Sequence, residues 1–369
     1  MDASDLSGAG LRGGDGAQAK GGALMIESLS ASTGLLASDP MFWMPLALYV
    51  LVLFLLAGLV VLDGFDMGCG LLMPWIKPVA RSRVLDALTA WRGANESWVL
   101  LLFAVFMSAF PIGWEPMLSE MFVPVMLLVT GSALRSLAFE FRARASMGQQ
   151  EFWNMLFSFG AHCSVAGLGL WLAKYVNGPD QDMSDWAFVV LVVIAVAANA
   201  IVLATSWMLT WSNGVIRHFS ARVGVATVRW VAAGMVAVSL VLALTNPAIY
   251  YRWTHVETLH IASVAWVLML TGFVVLDRQL RGVATSPQAK IWWSPLVIAA
   301  CLNLLMLGGL AYSYFPFLVL DNLTVWDAAA SRESLRWVMA GVVVCAPILL
   351  VFNVLGYWRL FRFKPVRFD

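Results

Sequence analysis

Residues 42–64 read Phe42-Trp43-Met44-Pro45-Leu46-Ala47-Leu48-Tyr49-Val50-Leu51-Val52-Leu53-Phe54-Leu55-Leu56-Ala57-Gly58-Leu59-Val60-Val61-Leu62-Asp63-Gly64, with no charge before Asp63. A helix crossing the hydrocarbon of a bilayer needs about 20 mostly apolar residues, and this run supplies them. It is continuous rather than alternating, which excludes a barrel strand, and a helix satisfies its own backbone groups in lipid. Gly-rich apolar sequence continues to Ile76, so the helix is expected to extend beyond the bilayer core. Working outward, similar runs lie near 96–114, 118–138, 153–175, 186–210, 228–247, 258–277, 293–314 and 337–358. The expectation is an all-α polytopic membrane protein with nine transmembrane helices.

The composition agrees. Of 369 residues, 61% are hydrophobic and 12% charged, against about 25% charged in soluble domains, and the mean hydropathy is +0.80. Too little polar surface is left for a soluble enzyme, a disordered protein or a nucleic-acid binder, and a net charge of +1 offers nothing to a polyanion. The scarce charge is ordered. The segments after spans one, three, five and seven, with the C-terminal tail, hold 17 of the 23 basic residues, from Lys77 to Arg367. The other side holds Arg12, Lys20, Lys174, Arg252, Arg332 and Arg336. The positive-inside rule then puts the N-terminus outside and the C-terminus in the cytoplasm, as an odd number of spans requires.

Residues 1–40 are rich in Gly, Ala, Ser and Asp and read as a polar, disordered tail before the transmembrane domain of 41–369. No short apolar core follows a basic start, so the tail does not read as a secretory signal; Met25 and Met41 are alternative starts. Tryptophans gather near span ends, as at Trp43, Trp75, Trp91, Trp98, Trp186, Trp292 and Trp293, where interfacial anchoring is the ordinary reason. Cys69, Cys163, Cys301 and Cys345 lie in apolar runs without metal or disulfide spacing and read as small packing groups.

Ionisable residues inside spans are costly, so each is a functional candidate. Asp63 and Asp66 are three apart, on one helical face. Two carboxylates so close in a low dielectric do not both stay charged, which would make them a proton-carrying pair. Position alone allows equally that they pair with Arg81, Arg83 or Arg92. Gly64, Gly68 and Gly70 allow close helix contact. Glu96, beside Asn95, starts the second span, and Glu140 closes the third beside Arg135 and Arg142. All four acids fall on the cytoplasmic side, as a proton entrance requires; for Glu140 a salt-bridged helix end is favoured. Trp326 and Asp327, before the last span, read as an outer belt and helix cap. His218 and His255 read as loop residues. His162 and His260 lie within spans but are unrelated in depth, which suits core residues better than paired haem ligands. Nucleotide, metal and nucleophile motifs are absent.

The string Asp63-Gly64-Phe65-Asp66-Met67-Gly68 resembles the first-helix signature of subunit II of cytochrome bd-type quinol oxidases. Asn95-Glu96-Ser97-Trp98, Ala109-Phe110-Pro111, Arg135-Ser136-Leu137-Ala138-Phe139-Glu140-Phe141-Arg142, Phe315-Pro316-Phe317, Thr324-Val325-Trp326-Asp327-Ala328-Ala329 and Tyr357-Trp358-Arg359 resemble later segments of that family, in order. The likeness runs from about Met41 to Arg362, and nine spans with an outside N-terminus is the family's topology. It implies a heterodimer in the bacterial inner membrane that oxidises ubiquinol or menaquinol and reduces oxygen to water. Protons for that water come from the cytoplasm. The resemblance implies that haem b558, haem b595 and haem d are held by subunit I, and that subunit II supports it. It also implies acids on a proton path, room for a bound quinone in a lipid-facing groove, and a small single-helix accessory subunit. By the likeness Asp63, Asp66 and Glu140 become proton-path candidates.

One departure stands out. Aligned on Asn95 and Trp98, the sequence has Arg92 and Gly93 where the family carries Trp and an acid. Glu96, one turn along, is then expected to substitute for the missing acid, or protons enter wholly through subunit I. The rival reading is a proton-coupled nine-span secondary transporter. A transporter more often shows helices broken at mid-membrane and internal repeats, whereas the acids here gather at one face.

Overall fold

The computed structural model describes residues 26–177, 186–256, 258–286, 293–319 and 322–362. A short helix, α1, covers 26–33, within the tail expected to lack structure. The first long helix begins at α2 (Pro40–Gly58), where Asp39 Oδ1 accepts the Met41 N–H at 2.9 Å and Pro40 supplies the pre-set φ of a first turn. It continues through a π-helical segment (Leu59–Asp63) and α3 (Gly64–Leu72) to a 3-10 turn (Met73–Trp75). The whole runs 36 residues, about 54 Å at 1.5 Å per residue, as the apolar extension to Ile76 predicts.

Then follow α4 (Pro78–Ala109), α5 (Pro111–Glu120), α6 (Phe122–Arg144), α7 (Gln150–Asn177), α8 (Trp186–Trp211) and α9 (Gly214–Thr245). A short α10 (Pro247–Thr254) precedes α11 (Leu259–Thr285) and α12 (Ser294–Tyr314). Strands β1 (Phe317–Val319) and β2 (Leu323–Thr324) pair antiparallel with Phe317 opposite Thr324, and α13 (Arg332–Arg362) ends the described chain.

Among the described residues, eight helices are long and apolar enough to cross a membrane. The difference from nine lies in the second span. Its apolar part is Trp98–Ala109, and this is the second half of a 32-residue helix that starts at Pro78. The charged segment 78–95, expected to connect spans, is helical, so Glu96 lies inside a helix and does not start one. The helix stops at Ala109 because Phe110 precedes a proline and leaves the helical region, with φ −127° and ψ 58°.

Two main apolar cores divide the molecule. One joins α3, the first half of α4 (Val84, Leu85, Leu88), α8, α9, α11 and α12, with Ala138 and Phe157. The other joins α2, the second half of α4 (Leu102, Val105, Ala109), the loop around Val325 and Ala328, and Leu335 of α13. The first long helix and α4 therefore each pass from one core into the other, and the π segment sits at the crossing. Gly68 makes the closest helix approach: a Cβ there would lie 1.9 Å from the Ala200 carbonyl oxygen of α8, so α3 and α8 pack backbone to backbone.

The end of the molecule around Asp39 and Arg252 is closed by polar pins. Arg252 of α10 donates to the Tyr312 and Ser313 carbonyls at 2.8 and 3.2 Å, and to Phe315, which places a cation on the negative end of α12. Arg332 pairs with Asp39, and Trp326 Nε1 donates to the Phe42 carbonyl at 3.0 Å while stacking on its ring. Trp43, Trp75, Trp186 and Trp293 are exposed near helix ends, where they suit membrane interfaces. The side chain of Trp91, and Trp292 altogether, lie outside the described residues.

Candidate functional site

The acids at 63 and 66 come together around a shared arginine. Arg135, 2% exposed, reaches them from α6. Its Nη2 donates to both oxygens of Asp63 at 3.0 and 2.8 Å, and its Nη1 donates to Asp63 Oδ1 at 3.0 Å and to Asp66 Oδ2 at 2.8 Å. From α4, Arg92 Nη1 stands 3.4 Å from Asp66 Oδ2. All four side chains are buried. Two carboxylates therefore face two guanidiniums. Taken alone, two carboxylates in lipid favour proton sharing; with two cations beside them, ion pairing satisfies both.

The backbone explains why the acids converge. Asp63 ends the π segment and Asp66 lies in the first turn of α3. Phe65 between them points the other way and stacks on Trp207 of α8, with centroids 5.3 Å apart and planes at 4°. Gly64 and Gly68 lie against Leu203, Ala200 and Ala204. The signature thus divides its labour: two acids on one face, an aromatic ring and glycines on the packing face.

Arg92 is fixed from three directions. Its Nη2 donates to Ser136 Oγ at 2.9 Å, and its guanidinium lies over the rings of Phe139 and Phe157 at 4.7 and 5.7 Å. Seven residues beyond Arg135 on α6, Arg142 anchors a second polar cluster. Its Nε donates to Asn154 Oδ1 at 2.7 Å, its Nη2 to Ser82 Oγ at 2.8 Å, and its Nη1 lies 3.8 Å from Asp86. Asn154 donates to Glu151 at 3.3 Å, and Glu151 pairs with Arg81. Phe139 and Phe157 lie between the two clusters in the registers of α6 and α7.

Other expectations fare variously. Glu140 is exposed, while Arg135 and Arg142 turn to other partners. The side chains of Asn95 and Glu96 lie outside the described residues. Trp98 lines a cleft of about 50 Å³ with Leu51, Phe54 and Leu101, and with Leu349 and Asn353 of α13. Asp327 caps no helix. Its carboxylate instead accepts the Thr324 hydroxyl at 2.5 Å and the Thr324 N–H at 3.3 Å, closing the turn after β2. His162 is exposed, with Nδ1 2.8 Å from the Ser158 carbonyl, and His260 is exposed at the start of α11.

Arg135 turns to Asp63 and Asp66, not to Glu140, its neighbour in sequence. The available signal was that α6 carries its apolar pattern through Ala138, which leaves Arg135 inside a span and in need of a buried partner.

Comparison with known proteins matches this picture. The chain is 23% identical over 358 residues to the probable cytochrome oxidase subunit 2 of Haemophilus influenzae, covering 85% of this chain and 93% of that one. It is 21% identical over 361 residues to the cytochrome bd-I ubiquinol oxidase subunit 2 of Escherichia coli K12, with the same coverages. The fold is similar to a chain in the structure of bd oxidase from Geobacillus thermodenitrificans, with a TM-score of 0.67, 13% identity, and 86% and 98% of the two chains covered. The sequence model of cytochrome bd terminal oxidase subunit II matches residues 44–360, so the chain belongs to that family.

Proposed function

We propose that this chain is the supporting subunit of a two-subunit quinol oxidase in a bacterial inner membrane. Its partner, subunit I, carries haem b558, haem b595 and haem d, and this chain contributes to proton uptake from the cytoplasm as oxygen is reduced to water. Nine crossings with the N-terminus outside belong to this reading, with Trp98–Ala109 as the apolar part of the second. A single-helix accessory subunit is part of the same proposal. The carbon-lined cleft beside Trp98 has the chemistry for the apolar tail of a bound quinone.

The observation that carries the reading is the buried acid pair inside the family's first-helix signature. A carboxylate buried so deeply needs a reason to be there. Asp63 is chelated through three contacts from Arg135, whereas Asp66 takes one from Arg135 and a longer one from Arg92. Glu96 remains the proposed stand-in for the acid missing at Gly93, and Glu140 an outlying candidate. The family supports the oxidase over a secondary transporter.

The test is quinol-driven oxygen uptake by the purified complex carrying Asp63→Asn, Asp66→Asn or Glu96→Gln. Asp63→Asn and Asp66→Asn should lower turnover about tenfold or more while the haem spectrum persists. Unchanged uptake would remove the acids from the proton path, and loss of all haem would make their role structural. Unchanged uptake in Glu96→Gln removes the substitution idea alone.

A further inference from the structure

Arg92 raises a question that the acid pair by itself does not. Arg135 already supplies four hydrogen bonds to the two carboxylates at 2.8–3.0 Å. A second guanidinium is nevertheless buried beside them, at 7% exposure, and stays 3.4 Å from Asp66. Burying a second cation is costly unless several contacts hold it. Here Ser136 takes one Nη at 2.9 Å, and the Phe139 and Phe157 rings present their negative faces to the guanidinium plane. Those contacts come from α6 and α7, so the cation's distance from Asp66 is set by elements other than its own helix.

We propose that Arg92 is a positioning residue for proton exchange at the acid pair: it orients the Asp66 carboxylate, and its charge sets how strongly the pair holds a proton. The proposal rests on the reading that the acids lie on a proton path. Protonating Asp66 weakens the longer Arg92 contact first and leaves the Arg135–Asp63 chelate intact. Arg92 also lies on the aromatic pair that separates the acids from the Arg142–Asn154–Glu151 cluster, so a proton arriving from that side meets its charge before it meets Asp66. Like charges repel, and a fixed guanidinium in such a position governs which protonation state the acid adopts at rest.

Among the described residues, the following groups bear on Asp66. Asp63 faces it from the π segment, Arg135 from α6 and Arg92 from α4, and Cys69 follows it on α3. On α7 the neighbouring stretch offers Phe157 and Ala161, with Glu151 at the inner end paired to Arg81. The whole of α8 carries no charged residue. Glu96 lies outside the described side chains, and Glu140 is exposed.

The experiment compares the pH profile of quinol-driven oxygen uptake for the purified two-subunit complex and its Arg92→Gln, Arg92→Lys, Ser136→Ala and Asp66→Asn variants, with the haem spectrum recorded for each. Arg92→Gln removes an opposite charge close to the acid, so the alkaline fall in turnover should move to higher pH by about 1–3 units. Arg92→Lys should keep the parental position. Ser136→Ala loosens the guanidinium without removing its charge and should lower turnover about two- to tenfold with the alkaline limb unmoved. A parental pH profile in Arg92→Gln, or the same shift in Arg92→Lys, overturns the proposal. Should Arg92→Gln fail to assemble, parental turnover in Ser136→Ala overturns it instead. An unimpaired Asp66→Asn complex removes the proton reading itself, whereas an impaired Asp66→Asn beside an unmoved Arg92→Gln removes only the role given to Arg92.

Discussion

Replacing Arg135 by Met keeps most of the side chain's length and removes its charge. Four N–H···O contacts of 2.8–3.0 Å disappear from a site where Arg135 is 2% exposed and the acids 7% and 3%. Breaking a buried ion pair from one side costs about 3–5 kcal/mol, mostly the penalty of a stranded charge. For a chain of this size about 2 °C accompanies each kcal/mol, so the melting temperature of the complex should fall by about 6–10 °C. The contacts also predict an order. Asp63 loses all three of its contacts from Arg135, while Asp66 keeps Arg92 at 3.4 Å. Adding Asp63→Asn to Arg135→Met should therefore recover more stability than adding Asp66→Asn. Tryptophan fluorescence during heating reads the melt, since the chain holds 18 tryptophans, and oxygen uptake reads function separately. A melt of Arg135→Met within about 1 °C of the parent, or the opposite order of rescue, would refute the geometry on which the site is built.

Two further outcomes follow from other parts of the fold. Gly68→Ala puts a methyl group 1.9 Å from the Ala200 carbonyl oxygen; α3 and α8 must separate, and overpacking of about 1–3 kcal/mol or more should show as a lower melt and less assembled complex, which a parental melt would contradict. At the start of α2, the Met41 N–H and then Arg332 hold the Asp39 carboxyl below the usual aspartate range. A depressed value contributes stability above the unfolded value of about 3.9 and loses it as pH falls further. Asp39→Asn should therefore flatten the decline in melting temperature below about pH 4, and an equally steep decline in both proteins would count against the Asp39 contacts.

The membrane class and most of the helices were legible because hydropathy is a local property. The run at 42–64 needs no partner to declare itself, and neither does α8, which has no charge in 26 residues. The long α4 was hidden because Arg81, Arg83, Asp86 and Arg92 lower the hydropathy of its first half; Pro78 in its first turn was the available start signal. At the site, the acids were legible as costly charges, and Arg92 was among the partners weighed. Arg135 is 69 and 72 positions from the acids it holds, and no local pattern marks a contact over that separation. The Ser82–Arg142–Asn154 links were invisible for the same reason, because single polar residues in three helices acquire a common role only when those helices pack.

The π segment fixes the length of the first helix as firmly as its composition. It carries one residue more than an α-helical path would need between Gly58 and Gly64, and each residue turns an α-helix by about 100°. A one-residue deletion within 59–62 would restore regular winding and rotate α2 against α3 by that angle. Leu48, Val52 and Leu55 would leave their core while Asp63 and Asp66 stayed with Arg135. Viable length variants of this chain should therefore spare these positions and fall in the connections between helices.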